Sequence, residues 1–225
     1  MWNEFNIKTF PAETIVYRDG VYQPEISTLP ELENISEKYK LPIHIIYVGK
    51  ISGENTLKIN LSASNQPVFL SINTENNFPA FLNIFIKNAG KISEIRGHIL
   101  LKNSSDLSVD IMAEHKNSDT GILLQTKIIG EKESFSKISG MAIIDKNCEN
   151  TKSDIRFGGL ATDKSAKIQF TPGQKISSVP EFAEHSAYMF HTSPNQELYL
   201  REAGLSGAEV KNAMIEAFIK DFSLF

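Results

Sequence analysis

The chain has 225 residues, of which 41% are hydrophobic and 22% charged, and its formal net charge at pH 7 is −4. This is the composition of an ordinary globular domain, and the acidic balance argues against nucleic-acid binding, which needs a basic patch. The longest apolar run, residues 41–48, is too short to cross a membrane. Residues 1–10 lack the apolar core of a signal peptide, and the single cysteine, Cys148, excludes an internal disulfide framework. We therefore expect a cytoplasmic protein.

Residues 1–40 combine a predicted strand with a polar stretch. The strand lies in ETIVYRDGVYQPEIS, residues 13–27, where Asp19 and Gly20 form the pair that favours a tight hairpin. The polar stretch ELENISEKYK, residues 31–40, is compatible with one short helical turn.

Residues 41–180 are predicted to form a β core. Short runs rich in Ile, Leu, Val and Phe follow one another as far as about residue 176, and several alternate with the period of two that turns one face inward. Turn signals recur about every 13 to 16 residues. Stacked coils and a β-sandwich both produce this spacing, so the pattern predicts an all-β region and leaves its topology open.

Residues 181–225 contain a first helix with clear boundary signals. Ser193, Pro194 and Gln196 have the positions of an N-cap, a proline in the first turn and a capping-box partner. Gly204 supplies a left-handed C-terminal stop.

A second helix is predicted to open at the capping box of Ser206 and Glu209 and to run to about Phe222. Its apolar residues spread over roughly 240° of the helix surface, whereas packing on one sheet needs little more than about 100°. The surplus predicts a second contact, with a neighbouring helix or another protein. The alternative is a C-terminal helix packed into its own core.

The segment between residues 180 and 218 carries a motif in which His191 precedes a polar stretch and the run Tyr199-Leu200, with Gly204-Leu205 after it. This order resembles the C-terminal signature of the SufB/SufD family, the scaffold subunits of the Suf iron–sulfur cluster assembly system. The cysteine-rich features of SufB are missing, so the chain is most similar to the SufD branch. The middle of the chain is similar to the family core at Gly97, His115, Ser118, Phe135 and Gly140.

The resemblance implies a mainly β fold, a right-handed parallel β-helix followed by a small C-terminal helical domain. It implies a non-catalytic scaffold that pairs with a SufB-like subunit and docks one SufC-like ATPase. From the charge and the short apolar runs we expect neither nucleic acid nor a membrane as a partner. A homodimer of the isolated chain is the alternative pairing. ATP chemistry would belong to SufC, because the sequence has no phosphate-binding GxxxxGK[ST] motif. The expected docking residues are Leu198, Tyr199, Leu200, Gly204, Leu205, Met214 and Phe218.

The resemblance also implies that His191 contributes a ligand to a transient iron–sulfur cluster at the interface with SufB, which supplies thiolate. We expect no stably bound cofactor and no catalytic residue. The ordinary pKa of histidine, about 6.5, leaves the ring mostly neutral at cytoplasmic pH and able to bind iron. The alternative is that His191 only hydrogen-bonds the entrance of the first helix.

Three residues near the motif depart from the family pattern. Met189 stands where the family often has cysteine, Thr192 where it has glycine, and Ala203 where it has a second arginine. The family's N-terminal helical domain is also expected to be missing. The chain therefore looks like a shortened SufD.

The remaining histidines and the cysteine have ordinary interpretations. His44 and His98 lie within strand patterns and are expected to be hydrogen-bonded structural residues. His115 beside Glu114 is a candidate metal pair, although the adjacent turn favours a structural hydrogen bond. Cys148 lies in a polar turn and is expected to be a surface thiol.

Two other classes of function remain open. Parallel β-helices include polysaccharide lyases and hydrolases, and Asp106, Asp110 and Glu114 recur at a spacing of four. That spacing does not align residues across coils, so a solvated edge also explains these acids. The third class is a purely structural β-solenoid oligomer whose helices cap its end.

Overall fold

Fourteen β-strands and two helices form the part of the chain that the computed structural model describes, residues 13–19, 21–25, 27, 34–35, 43–61, 68–90, 93–190 and 194–220. The strands are β1 (Glu13–Arg18), β2 (Val21–Tyr22), β3 (Asn34–Ile35), β4 (Ile43–Lys50), β5 (Gly53–Leu61), β6 (Val68–Asn76), β7 (Ala80–Asn88), β8 (Glu94–Asn103), β9 (Asp106–His115), β10 (Gly121–Gly130), β11 (Phe135–Ile144), β12 (Lys152–Ala161), β13 (Lys167–Ile176) and β14 (Phe182–Phe190). The helices are α1 (Pro194–Glu202) and α2 (Gly207–Lys220). The predicted order, a β region followed by two helices, is confirmed.

Successive strands from β2 onward alternate between two sheets. Sheet A has the order β14-β12-β10-β8-β6-β4-β1-β2, and sheet B has the order β13-β11-β9-β7-β5-β3. Strands of successive coils pair in parallel, as β8, β10 and β12 do along their whole length. The chain is therefore a parallel β-solenoid, which confirms the stacked coils and excludes the β-sandwich. Each coil contains one strand of each sheet. Successive turn signals in the sequence are therefore half a coil apart.

Alternating aliphatic side chains fill the interior. In β7, Leu82, Ile84 and Ile86 are buried, whereas Phe81 and Phe85 point outward and are exposed. The same alternation in the next strand of sheet B places Ile111 beside Ile84. Each fully buried side chain of this kind contributes about 1.5 to 3 kcal/mol, so the core is a column of like residues stacked coil on coil.

Two glycines that carry the family resemblance make room for large neighbours on the next coil. A Cβ added at Gly140 would lie 2.5 Å from Cζ of Phe157, and one added at Gly97 would lie 2.5 Å from Cδ2 of Leu124. A larger residue at either position would therefore displace the end of a neighbouring side chain in the close-packed interior. Glycine leaves the room that Phe157 and Leu124 occupy.

Buried asparagines close the corners between the sheets. Nδ2 of Asn103 donates to Ser136 Oγ at 2.7 Å, to Ser105 O at 2.8 Å and to Phe135 O at 3.1 Å. Its Oδ1 accepts from Nδ2 of Asn76, one coil earlier, at 2.8 Å. These bonds satisfy carbonyl groups that a buried turn would otherwise leave without donors.

The two ends of the solenoid differ. At the first end, β1 and β2 form the predicted hairpin, in which Tyr17 pairs with Tyr22 and Asp19 has a left-handed φ of 51°. At the other end, β14 in sheet A and β13 in sheet B pair on one side only among the described strands. β14 also extends sheet A beyond residue 180, where the sequence divided the chain, and the division into domains stays a prediction.

Residues 31–40 are compatible with one short helical turn, and the structure describes only two of them, positions 34 and 35. Asn34 and Ile35 form β3, which pairs in parallel with Asn60 and Leu61. Pairing with the next coil satisfies the backbone at these two residues, and the helical turn stays a prediction for the rest of the stretch. The other residues of the stretch lie outside the described ranges. No helix in the described part of the chain is long and apolar enough to span a membrane.

We predict that Asn103→Ala lowers the free energy of unfolding by about 3 kcal/mol, because it leaves buried carbonyl groups and the Asn76 amide without partners. Urea denaturation measures the change. Asn83→Ala is the matched control, since Asn83 points outward from β7 and has no side-chain hydrogen bond among the described residues. An equal and small decrease in the free energy of unfolding in the Asn103→Ala and Asn83→Ala variants would contradict the role of Asn103 at the corner.

Candidate functional site

Helix α1 ends at the predicted glycine. Gly204 has a φ of 95°, its N–H donates to Arg201 O at 3.0 Å, and the N–H of Leu205 donates to Leu200 O at 3.2 Å. These two bonds form a Schellman motif, which satisfies the last carbonyls of the helix. The predicted N-cap, Ser193, lies outside the described residues.

Helix α2 begins at the predicted capping box. The N–H of Ser206 donates to Glu209 Oε2 at 2.8 Å, and the N–H of Glu209 donates to Ser206 Oγ at 3.3 Å. Both bonds satisfy donors at the helix start. The Ser206 N–H, together with the Ser206 hydroxyl, which donates to Glu209 Oε2 at 2.7 Å, holds the pKa of the Glu209 carboxyl below its usual value. The predicted boundary at Ser206 is confirmed, while Phe222 lies outside the described residues.

One side of α2 packs on the outer face of sheet A. Leu100, Ile129 and Leu160 occupy outward positions on neighbouring strands and form a cluster with Ile215 and Phe218 of the helix. All five side chains are buried. Part of the apolar surface of α2 is therefore buried against the β-solenoid of the same chain.

A buried lysine holds the end of α2. Lys127 points outward from β10, yet it is fully buried, and its Nζ donates to the carbonyl oxygen of Phe218. The same Nζ lies 5.0 Å from the centroid of the Phe218 ring. Tyr188 and Phe190 of β14 contact that ring, with centroid distances of 6.4 and 5.7 Å. Charge-assisted and cation–π contacts are strong when desolvated, so this contact fixes α2 to both β10 and β14.

The expected docking residues fall into three sets, which are exposed, half-buried and buried. On α1, Leu198 is 55% exposed and Tyr199 is 71% exposed, and none of the described residues of that helix is buried. Phe218 is only 2% exposed. The half-buried residues are Leu200, Leu205 and Met214, and Gly204 is exposed at the end of α1. Among the expected docking residues, the exposed apolar side chains are therefore Leu198 and Tyr199.

The expected metal ligand, His191, lies outside the described residues. It follows directly after Phe190, the last residue of β14. β14 is the edge of sheet A. Two exposed apolar side chains precede it in the chain, Ile176 at the end of β13 and Val179 between β13 and β14.

His115 and Cys148 share a buried corner. Nδ1 of His115 lies 2.9 Å from Thr120 Oγ1, and Sγ of Cys148 donates to His115 O at 3.5 Å. Burial lowers the pKa of His115 to about 4 and raises the pKa of Cys148. The structural interpretation of His115 is confirmed. The expected surface exposure of Cys148 is wrong, because the turn folds under the His115 carbonyl and leaves the thiol 1% exposed.

Other candidate ligands also have structural roles. His44 Nε2 lies 2.8 Å from Ser71 Oγ, and burial lowers the pKa values of His44 and His98. Asp110 lies between Asn83 and Ser139 on the neighbouring strands, so the acids of β9 do not form an array across coils. Among the described residues, no group of three or more His, Cys, Asp or Glu side chains is placed to hold a metal ion.

A family model described as SUF system FeS cluster assembly, SufBD core domain, matches residues 71–218, about two thirds of the chain. The chain belongs to this family. The match runs from β6 to α2, so it covers both the solenoid and the helices of this SufBD-family protein. The family is an assembly component of iron–sulfur cluster formation and is generally not catalytic. No curated protein matches the chain.

We predict that His115→Gln flattens the dependence of stability on pH in this SufBD-family protein. The folded-state pKa of His115 is about 4 and the ordinary value is 6.5, so the unfolded chain binds an extra proton between these values. Stability is therefore complete above about pH 6.5 and falls as the pH drops toward 4, by about 3 kcal/mol from this residue.

Urea denaturation at several pH values measures the effect in both proteins. His44 and His98 remain in the variant, so the difference between the two curves isolates His115. Parallel curves between pH 4 and pH 6.5 would contradict the assignment.

Proposed function

We propose that this chain is a cytoplasmic, SufD-like scaffold that pairs with a SufB-like subunit and docks a SufC-like ATPase. The observation that carries the proposal is the exposed apolar pair Leu198 and Tyr199 on α1, a helix without buried residues in the described chain. The scaffold itself has no catalytic residue, and ATP chemistry belongs to the docked partner.

The arrangement of the two helices supports α1 as the docking element. α2 is fixed to sheet A through Phe218 and Lys127, whereas α1 is a nine-residue helix with an Arg201–Glu197 ion pair of 2.8 Å beside its apolar pair. A helix of this length is marginal without packing. Tyrosine and arginine are enriched at protein interfaces, so burial by a partner would stabilise this surface.

The open end of the solenoid supports pairing with another chain. Edge strands present unpaired backbone groups that bond readily to a further strand, and β13 and β14 have one paired side each among the described strands. A SufB-like subunit is the proposed partner there, with a homodimer as the alternative for the isolated chain. Light scattering should show a heterodimer when the SufB-like subunit is present or a homodimer of the isolated chain. If only monomer is seen at high concentration in both samples, the result would argue against pairing.

The cluster itself is cargo that this chain binds through His191 and only while the partner is present. One imidazole cannot hold an iron–sulfur cluster, and thiolate is the usual ligand. Cys148 is buried at a corner and its raised pKa opposes thiolate formation. The thiolates must then come from the SufB-like subunit, so assembly takes place at the interface.

We predict that the double variant Leu198→Ser and Tyr199→Ser weakens binding of the SufC-like ATPase at least tenfold while the β-solenoid stays folded. Two exposed apolar anchors of an interface are lost, and neither contributes to the core. Co-purification and calorimetric titration with the ATPase measure the change, and circular dichroism checks the fold.

Phe78→Ser is the matched control for docking, because Phe78 is an apolar residue that is 68% exposed in the turn before β7. It should leave binding unchanged. Undiminished binding by the α1 double variant would refute the docking assignment, and equal loss in the control would show that the contact is unspecific.

We predict that His191→Ala leaves folding and ATPase docking unchanged but impairs cluster assembly on the complex with the SufB-like subunit. Visible absorbance and iron content after reconstitution report cluster loading. His185→Ala is the control, because His185 is an exposed histidine on β14. A variant that loses stability but loads cluster normally wherever it folds would instead assign His191 to the helix entrance.

A further inference from the structure

The edge strands at the two ends of the solenoid differ in length. At the first end, the edge strands β2 and β3 have two residues each in the part of the chain that the structure describes. At the other end, the edge strands β13 and β14 have ten and nine residues. Very short edge strands are one way in which proteins prevent the addition of a further strand. We therefore expect strand addition at the last coil and not at the first.

Alternate residues of β13 direct their backbone groups toward β11 or away from it. The N–H of Lys167 donates to Ser134 O at 2.8 Å, and the N–H of Ser177, just after the strand, donates to Ile144 O at 2.9 Å. Successive residues of a strand direct these groups to opposite sides, so the odd-numbered residues of β13 bond to β11. The even-numbered residues, from 168 to 176, direct their N–H and C=O positions to the outer edge of sheet B.

A proline stands in the middle of this outward-directed set. Pro172 is the third of the five even-numbered residues of β13, and the ladder between β11 and β13 continues without a break on both sides of the Gly140–Pro172 pair. Proline has no N–H and is tolerated in a sheet only where that position faces away from the neighbouring strand. A strand that approached β13 would meet the proline ring where the central donor should be. Pro172 therefore opposes any extension of sheet B.

The outer edge of β14 has a complete set of donors. The N–H of Phe182 donates to Thr151 O at 3.3 Å, in register with the Lys152–Phe182 pair, so the even-numbered residues of β14 bond to β12. The odd-numbered residues 183, 185, 187 and 189 direct their backbone groups to the outer edge of sheet A, and none of these four is proline. Each offers one donor and one acceptor to a further strand.

Helix α2 supports β14 from the outer face of sheet A. Tyr188 and Phe190, whose N–H groups are directed toward β12, contact the ring of Phe218. Gly158 on β12 leaves room for the Tyr188 ring, since a Cβ added there would lie 2.7 Å from Cζ of Tyr188. A strand that is already held on its paired side and on one face loses little further entropy when a partner strand binds its edge. β14 is thus prepared for strand addition.

We propose that an edge strand of the SufB-like subunit pairs with β14 and extends sheet A alone, while Pro172 prevents the extension of sheet B. The inference rests on the proposed function and specifies which edge joins the two subunits. Strand addition is a common mode of recognition, in which backbone hydrogen bonds supply the affinity. A second copy of this chain is a poorer occupant, because its one cysteine, Cys148, is buried and brings no accessible thiolate to the interface.

Hydrogen exchange tests which edge the partner uses. With the SufB-like subunit bound, we expect at least tenfold slower amide exchange at the odd-numbered residues of β14 and unchanged exchange at the even-numbered residues of β13. Equal slowing in the two strands, or slowing in β13 alone, would overturn the proposal. A complex that forms without slower exchange in β14 would overturn it as well.

Proline variants test the same assignment through the affinity. Ala187→Pro removes an outward-directed donor of β14 and should weaken binding of the SufB-like subunit at least tenfold in calorimetric titration. Gln174→Pro is the matched control, because it removes an outward-directed donor of β13 at a similarly exposed position, and it should leave the affinity unchanged. Circular dichroism checks that both variants fold. Equal affinities of the two variants would contradict the assignment to β14.

The role of Pro172 has its own test. Pro172→Val keeps an apolar side chain and restores the missing donor of β13, so the isolated chain should associate more strongly in light scattering. Unchanged association of this variant would show that the proline does not protect the edge.

Failure of this inference is distinguishable from failure of the proposed function. A wild-type chain that does not bind the SufB-like subunit would overturn both. Binding that Ala187→Pro leaves intact would overturn the β14 assignment and leave the pairing of the subunits standing. A homodimer that excludes an equal concentration of the SufB-like subunit would identify a second copy as the occupant and overturn the proposed partner.

Discussion

Parallel hydrogen bonding from coil to coil is the constraint on which this structure depends. Each residue of β10 is in register with one residue of β8 and one of β12, so every inner strand has its backbone satisfied by the coils on both sides. Nothing in this coil-to-coil hydrogen bonding by itself ends the stack of coils. The last coil therefore leaves β13 and β14 paired on one side only among the described strands, and the open end is a direct result of the way the core is built.

The same stacking decides which polar residues are buried. A side chain at a corner has another corner above and below it, so Asn103 bonds to Asn76 on one coil and to Ser136 on the next. His115 lies at the opposite corner and is held by Thr120 within its own turn. In a fold with fewer stacked layers, the turns would form hydrogen bonds to water. Here the polar side chains at the corners form those hydrogen bonds instead.

Helix α2 connects the two surfaces that we assign to partners. Phe218 contacts Lys127 on β10 and Tyr188 and Phe190 on β14, the edge strand of sheet A. The helix is also tied to the loop after β10 by an ion pair of 2.8 Å between Lys211 and Glu131. Helix α1, the proposed docking helix, has no buried residue in the described chain and is joined to α2 through residues 203–206.

The sequence by itself determined features that depend on residues close together in the chain. Alternation predicted the strands, and the Ser206–Glu209 box and Gly204 predicted the helix ends, because these bonds span three to five residues. Only the tertiary structure decided between sandwich and solenoid, since alternation shows which face turns inward but not which strand is the neighbour. It also decided that Cys148 is buried, and that outward-facing Lys127 is covered by Phe218, 91 positions later. Burial is set by such distant contacts, and a local pattern does not contain them.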